Sequence, residues 1–460
     1  MKLRMLFKIS LGTTAALALV AVASPTANAQ VPMPPQAVVP TPASPVAQPM
    51  PPAGVPAPGV PAPGVPAPGV PAPGTPAAPV IELPPEQDMP ATALPRETSI
   101  ENPLGRAPAI SGIAVGGYGE LTLNAPSNGP AVVDLRRFVL FVGHNFNERF
   151  RFYSEVEVEH AIASSEDPGE VEIEQAYLDA LCSRRFNLRA GLLLMPVGIV
   201  NVYHEPPTFN GVDRPDVDVF VIPSTWREPG IGAFGELATG LNYQLYLVNG
   251  FNANGFSAGE GIGSGHQEGM LAAARDFGAI GRLSYEPVLA TVVGLSGYFA
   301  TSGNSLRGTV GNVPVGMVEV DARTKRQGFT ARGQLAMVFI GSASGLNQAL
   351  AAGDPDQMGA VAVSSQLRGG YLEAGYDLMR LAAPASEQSV TLFARYDYVD
   401  TQASVPAGFT ANKTFERHTI TAGLVYRPIP HIALKGDYRR HEFGAGAGFN
   451  ELAAGLGWMF

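Results

Sequence analysis

The 460-residue sequence predicts an all-β fold, a transmembrane antiparallel β-barrel of about sixteen strands preceded by a disordered Pro-rich segment. Three observations carry that expectation. From about residue 111 to the end, segments of roughly ten residues alternate polar with apolar side chains, the period of a strand whose two faces meet different surroundings. The links between these segments alternate short and long, as in barrels that place tight turns on one side of a bilayer and loops on the other. No run of about 18 apolar residues is present, which excludes helical membrane spans.

In chain order, residues 1–29 read as an export signal. Lys2, Arg4 and Lys8 precede an apolar run from Leu11 to Val22, and Ala27-Asn28-Ala29 offers small residues for cleavage before Gln30. Residues 30–110 form a second element of different composition: 25 of the 42 prolines lie between Pro32 and Pro108, around four direct Val-Pro-Ala-Pro-Gly repeats from Val55 to Gly74. Closely spaced prolines fix φ and remove backbone donors, so this stretch favours extended polyproline II and builds neither helix nor sheet. It reads as a periplasmic spacer, either a linker without a partner or an arm that touches peptidoglycan.

Residues 111–460 carry the strands, expected near 112–123, 131–143, 149–160, 170–182, 186–197, 229–239, 241–250, 277–286, 288–300, 316–323, 327–340, 364–378, 388–400, 416–427, 431–441 and 449–460. The segment 149–160 is the clearest. Phe150, Phe152, Val156 and Val158 share one face, and Arg149, Arg151, Tyr153, Glu155, Glu157 and Glu159 share the other. Connections after even-numbered strands are mostly tight, with a longer exception near 380–388, and those after odd-numbered strands are generally long. A soluble β-sandwich shares the alternation, but its turns need not alternate in length. A bilayer favours closure, because an open sheet edge leaves backbone groups unsatisfied in lipid. The apolar last strand ending in Phe460 resembles the signature by which the barrel assembly machinery recognises bacterial outer-membrane proteins.

A barrel of this size is too wide for wall side chains alone to fill, so an aqueous interior is expected. Its candidate lining is the polar strand face: Arg137, Arg149, Arg151, Glu155, Glu157, Glu159, Glu172, Glu174, Arg189, Arg282, Arg332, Arg395 and Arg439. Two arrangements of these charges are open. Opposed basic and acidic walls would set up a transverse field, or acids and arginines would pair across adjacent strands. The connection at 201–228 is the longest between strands and the candidate constriction, with His204, Glu205, Asp213, Arg214, Asp216, Asp218, Arg227 and Glu228 as its polar residues.

In these strands, the terminal Phe and the loop wording Tyr203-His204-Glu205-Pro206-Pro207, the chain resembles the phosphate-selective porin O and P family over roughly residues 111–460. The resemblance implies an outer-membrane diffusion channel and a homotrimer. The family's phosphate selectivity depends on basic rings, yet only Lys325, Lys413 and Lys435 follow the signal, so a lysine ladder is excluded and the substrate does not carry over. The expected function is passive diffusion of small hydrophilic solutes. The alternatives are an anion-selective channel and an envelope tether acting through the Pro-rich arm.

Other chemistry is not indicated. The net charge of −10 argues against a nucleic-acid partner. The single cysteine, Cys182, excludes an internal disulfide and reads as a small buried residue. Gly230-Ile231-Gly232-Ala233-Phe234-Gly235 matches a dinucleotide-binding pattern but sits in a strand with no helix after it. His204, Glu205, Asp213, Asp216 and Asp218 fit no standard metal loop, and pairing of these acids with Arg214 or Arg227 is the stronger expectation. No cofactor, metal or catalytic group is therefore expected, and no histidine stands beside a nucleophile elbow.

Overall fold

A computed structural model describes residues 113–164, 167–353 and 362–460. The expected signal and Pro-rich arm lie outside the described residues. Sixteen strands follow one another: β1 (Ile113–Pro126), β2 (Val132–Asn145), β3 (Phe150–Glu159), β4 (Val171–Leu181), β5 (Asn187–Leu194), β6 (Arg227–Ala238), β7 (Leu241–Asn249), β8 (Phe277–Val288), β9 (Thr291–Thr301), β10 (Pro314–Arg326), β11 (Phe329–Ile340), β12 (Gln366–Asp377), β13 (Ser389–Ser404), β14 (Glu416–Ile429), β15 (Ile432–Phe443) and β16 (Phe449–Met459). Among the described residues three α-helices lie in connections, α1 (Val217–Phe220), α2 (Ala343–Gly353) and α3 (Met379–Ala382), beside short 3-10 turns.

Each strand pairs antiparallel with its sequence neighbours, and β1 pairs with β16 from Tyr118↔Met459 to Pro126↔Glu451, which closes the barrel. Phe460 completes the seam: its N–H donates to the Gly117 carbonyl, and the Gly117 N–H donates back to the Phe460 carbonyl. Closure satisfies the backbone groups that an open edge would leave bare.

The period-two pattern sorts side chains as expected. On β9, Val293, Leu295 and Phe299 are exposed outside while Ser296 and Tyr298 are buried; on β13, Leu392 and Tyr396 face out while Thr391, Phe393, Arg395 and Asp397 face in. Exposed aliphatic side chains encircle the barrel, from Leu121 and Leu140 through Leu245, Leu295, Leu335 and Leu372 to Ile420, Leu424 and Leu452. Strand β4 departs from strict alternation. A bulge opposite Glu155/Val156 shifts the register of β4, so Glu172 and Glu174 face in before it and Tyr177 and Asp179 after it.

Several expectations are corrected. The interior is not simply a wide aqueous lumen lined by polar wall residues. Tyr246, Val248, Ile280, Tyr298, Val315, Met317 and Val338 of the wall pack with Met195, Val221, Ile222, Trp226, Phe251, Ile262 and Leu346 of the long connections in one hydrophobic cluster. Near the long-loop ends of these strands both faces are apolar, because the inward face is covered by loops rather than by water. Arg149 is exposed in the β2–β3 turn and does not line the interior. Cys182 is exposed after β4, in the β4–β5 turn, rather than buried. Strand β6 begins at Arg227, so Arg227 and Glu228 belong to the wall and not to the preceding loop.

Candidate functional site

The connection from β5 to β6, residues 195–226, turns into the barrel and crosses to the far wall. Pro206, Pro207, Pro215 and Pro223 keep it from continuing a strand, and its apolar residues Phe209, Val212, Val217, Val221 and Ile222 are buried. Gly198 has φ +69, and a Cβ there would lie 2.7 Å from the amide of Gln334 on β11. Glycine is required at that entry point, where Gln334 accepts from the Ile199 N–H at 3.0 Å and donates to Asp218 at 2.9 Å.

Further along, the loop is tied strand by strand. Arg332 of β11 donates to the Thr208 carbonyl, and Asn210 donates to Glu373 of β12 at 3.0 Å. The Asp216 N–H donates to Asp397 of β13 at 3.1 Å, Thr419 of β14 donates to Asp216 at 2.7 Å, and the Val212 N–H donates to Asp437 of β15 at 2.7 Å. Arg427 of β14 donates to the Pro207 carbonyl. These bonds satisfy backbone groups of an irregular segment that lies away from solvent.

The interior charges form compact local pairs, along one strand or across one or two strands. Arg137 lies 2.9 Å from Glu120, Arg189 lies 2.7 Å from Asp179, and Arg282 lies 2.7 Å from Asp321 and 3.3 Å from Glu319. Arg332 lies 3.1 Å from Glu373, Arg395 lies 2.7 Å from Asp397, and Arg439 lies 2.8 Å from Asp437. Arg227 pairs with Glu172 and, at 2.9 Å, with Glu268. Arg151 is half-buried on the inward face of β3, level with Asp179 on β4. Of the two arrangements left open by the sequence, local pairing is the one realised around these arginines.

In the loop, Asp213 pairs with Arg136 at 2.5 Å and with Arg439, not with Arg214 or Arg227. Burial pushes the Asp213 carboxyl up, but Arg439 and Arg136 outweigh it and hold the group well below the usual carboxylate range. Asp218 has no such cation in contact, and burial raises it to about 7. Burial likewise brings Arg214 down to about 10; it donates to Thr225 at 2.9 Å. His204 is buried against Tyr118 of β1, at 2.7 Å, and Glu174 of β4, at 3.4 Å. Glu205 is half-buried with one carboxylate oxygen shielded and without a hydrogen bond, and Glu228 accepts from the Gln267 N–H at 3.0 Å.

A cavity of about 470 Å³ remains between this loop, β2 and β13–β16. Six arginines line it: Arg136, Arg137, Arg214, Arg395, Arg417 and Arg439. Arg136, Arg214 and Arg417 complete a set of which the strand pattern supplied only Arg137, Arg395 and Arg439. Arg136 and Arg417 lie beside a bulge in β2 and at the loop end of β14, where simple alternation loses its meaning.

No protein-family model matches the chain. Among solved structures, Salmonella typhi OmpF in complex with daunomycin has a TM-score of 0.50 at 13% identity, covering 76% of this chain and 97% of that one. The outer membrane channel DcaP of Acinetobacter baumannii has a TM-score of 0.50 at 12% identity, with the same coverage of both chains. At these identities the likeness is one of fold, the porin-type barrel. An uncharacterized protein of Aquifex aeolicus (strain VF5) is 34% identical over 354 residues, 76% of this chain and 80% of that protein. An identity of that level over most of both chains places this barrel in one family with the uncharacterized Aquifex aeolicus protein.

Proposed function

We propose that the chain is an outer-membrane porin for passive diffusion of small hydrophilic solutes, with the loop at 201–226 as its constriction. The observation that carries this reading is the passage of the loop through the interior of a closed barrel, tied to β11–β15 on the far side. The encircling exposed leucines suit a hydrocarbon surround, and the fold shared with a structure described as an outer membrane channel supports the same reading. In this proposal the apolar cluster blocks one part of the interior, and solute passes along the charged part beside the cavity. The chain is exported by its first 29 residues, the Pro-rich arm stands in the periplasm, and three copies assemble in the membrane.

Purified protein in planar bilayers is expected to give stepwise conductance, and shortening the loop between Tyr203 and Ser224 is expected to enlarge the steps. Bilayers that stay silent with folded protein would overturn the proposal. The cavity lining, six arginines against the five acids Glu159, Asp213, Asp216, Glu442 and Glu451, gives a slight basic excess that motivates a second reading, selectivity for anions. Reversal potentials in a salt gradient distinguish the two: a potential near zero supports a general pore, and one of anion sign supports the second.

A further inference from the structure

We propose that Glu155 on β3, Glu174 on β4 and His204 of the long loop bind one divalent transition-metal cation, which clamps the loop to the barrel wall. One ligand atom from each residue lies within 4.8 Å of the others. All three side chains are buried, at 4%, 0% and 2% exposure. One imidazole nitrogen with two carboxylates suits Zn²⁺ or Mn²⁺, whereas Ca²⁺ takes six or more oxygens. The three residues come from separate segments, so no motif spacing announces the site.

The histidine is already oriented as a ligand. Its Nδ1 lies 3.2 Å from the Asn201 carbonyl, which can only accept, so Nδ1 carries the proton. Nε2 then faces the cluster, 3.4 Å from Glu174 Oε1 and 2.7 Å from the Tyr118 hydroxyl. A ligating histidine characteristically donates its other N–H to a fixed acceptor in this way. Glu155 is held similarly: Tyr153 donates to Oε1 at 2.5 Å and Gln175 donates to Oε2 at 2.6 Å. Gln175 sits at the β4 bulge, so the irregularity that breaks strand alternation also supplies a holding group.

A second observation points independently to a ligand at this site. Glu174 Oε1 is buried, has no hydrogen bond and lies 3.4 Å from the histidine; its other oxygen lies 2.9 Å from the Tyr118 hydroxyl, whose single proton the bare Nε2 requires. Glu157 beside it also has a buried oxygen without a hydrogen bond. Arg137 is the guanidinium serving this group of acids, and its close partner is Glu120, at 2.9 Å, with Glu157 at 3.9 Å. Carboxylates buried beyond the reach of a cation are costly unless they take up protons or a metal ion. The imidazole nitrogen aimed at Glu174 distinguishes this site from a cluster of acids alone.

The test uses full-length folded protein in detergent, stripped with a chelator and titrated with Zn²⁺ by calorimetry, with retained zinc counted after dialysis. One Zn²⁺ per chain is expected, with X-ray absorption showing a nitrogen and oxygen ligand set. Glu174→Gln, Glu155→Gln and His204→Ala should each weaken binding at least tenfold, while His431→Ala in the β14–β15 turn should leave it unchanged. Folding of each variant is checked by its mobility on unheated gels. Should a variant fail to fold, the absorption spectrum of the zinc-loaded wild type still decides the ligand set. Neither Zn²⁺ nor Mn²⁺ binding to the wild type, or binding undiminished in the folded variants, would overturn the proposal and leave protons to neutralise the carboxylates.

Discussion

Lys435 on β15 donates a hydrogen bond to the Gly211 carbonyl at 2.8 Å, joining residues 224 apart in sequence. Its ammonium also lies 3.7 Å from the centre of the Phe209 ring. One of the three lysines that follow residue 29 thus holds the loop against the far wall. Lys435→Met is expected to cost about 2 kcal/mol, the loss of a buried charge-assisted bond. The measurement is single-channel conductance: steps should become larger and noisier, and unaltered steps would show that the loop is held without Lys435.

Asp218 gives loop docking a dependence on pH. Burial raises its carboxyl from 3.8 to about 7, and it accepts from Gln334. The folded protein therefore binds the proton more readily than the unfolded chain. The resulting stability is fully present below about 3.8 and is lost as pH rises through about 7. Unfolding followed between pH 4 and 8 should show stability falling with pH, and Asp218→Asn should flatten that slope.

Trp226 ties the end of the long loop to the apolar part of the interior. It stacks on Phe251 at 5.0 Å and meets Tyr298 edge-on at 4.9 Å. Trp226→Ala should destabilise the barrel by about 3–5 kcal/mol, the usual cost of emptying a packed aromatic site. The temperature at which the folded band disappears from unheated gels should fall. No fall would show that the loops add nothing to barrel stability.

Asp213 joins Arg136 and Arg439 at the edge of the cavity. Asp213→Asn removes the carboxylate while both guanidinium groups stay charged, so the cavity becomes more positive. The reversal potential in a salt gradient should move toward anion preference. A potential identical to that of the wild type would place the ion path elsewhere.

Cys182 is exposed in the β4–β5 turn, on the tight-turn side of the barrel. As the chain's single cysteine it reports orientation without further engineering. A membrane-impermeant maleimide should leave intact cells unlabelled and react once the periplasm is opened. Labelling of intact cells would reverse the proposed orientation.

All sixteen strands were legible, most to within two or three residues at each end, because period two is a local property. A wall position faces either the surrounding medium or the interior, and the residue types follow. The pattern of Phe150 through Glu159 on β3 shows this without any knowledge of its neighbours. Legibility failed where the local rule was overridden. The β4 bulge reverses the faces after Glu174, Arg149 falls in a turn, and the early start of β6 carries Arg227 and Glu228 into the wall.

The sequence by itself determined the strands, their inward and outward faces, the alternation of turns and loops, and which connection was long enough to cross the barrel. Tertiary structure alone decided where that connection lies and what its charges meet. Asp213 found Arg136 and Arg439 rather than its own neighbour Arg214, and His204 found Tyr118 and Glu174. The physical reason is separation. Strand alternation is written between residues two apart, whereas the partners of a loop inside a closed barrel are set by which wall it reaches, and those walls lie up to hundreds of residues away.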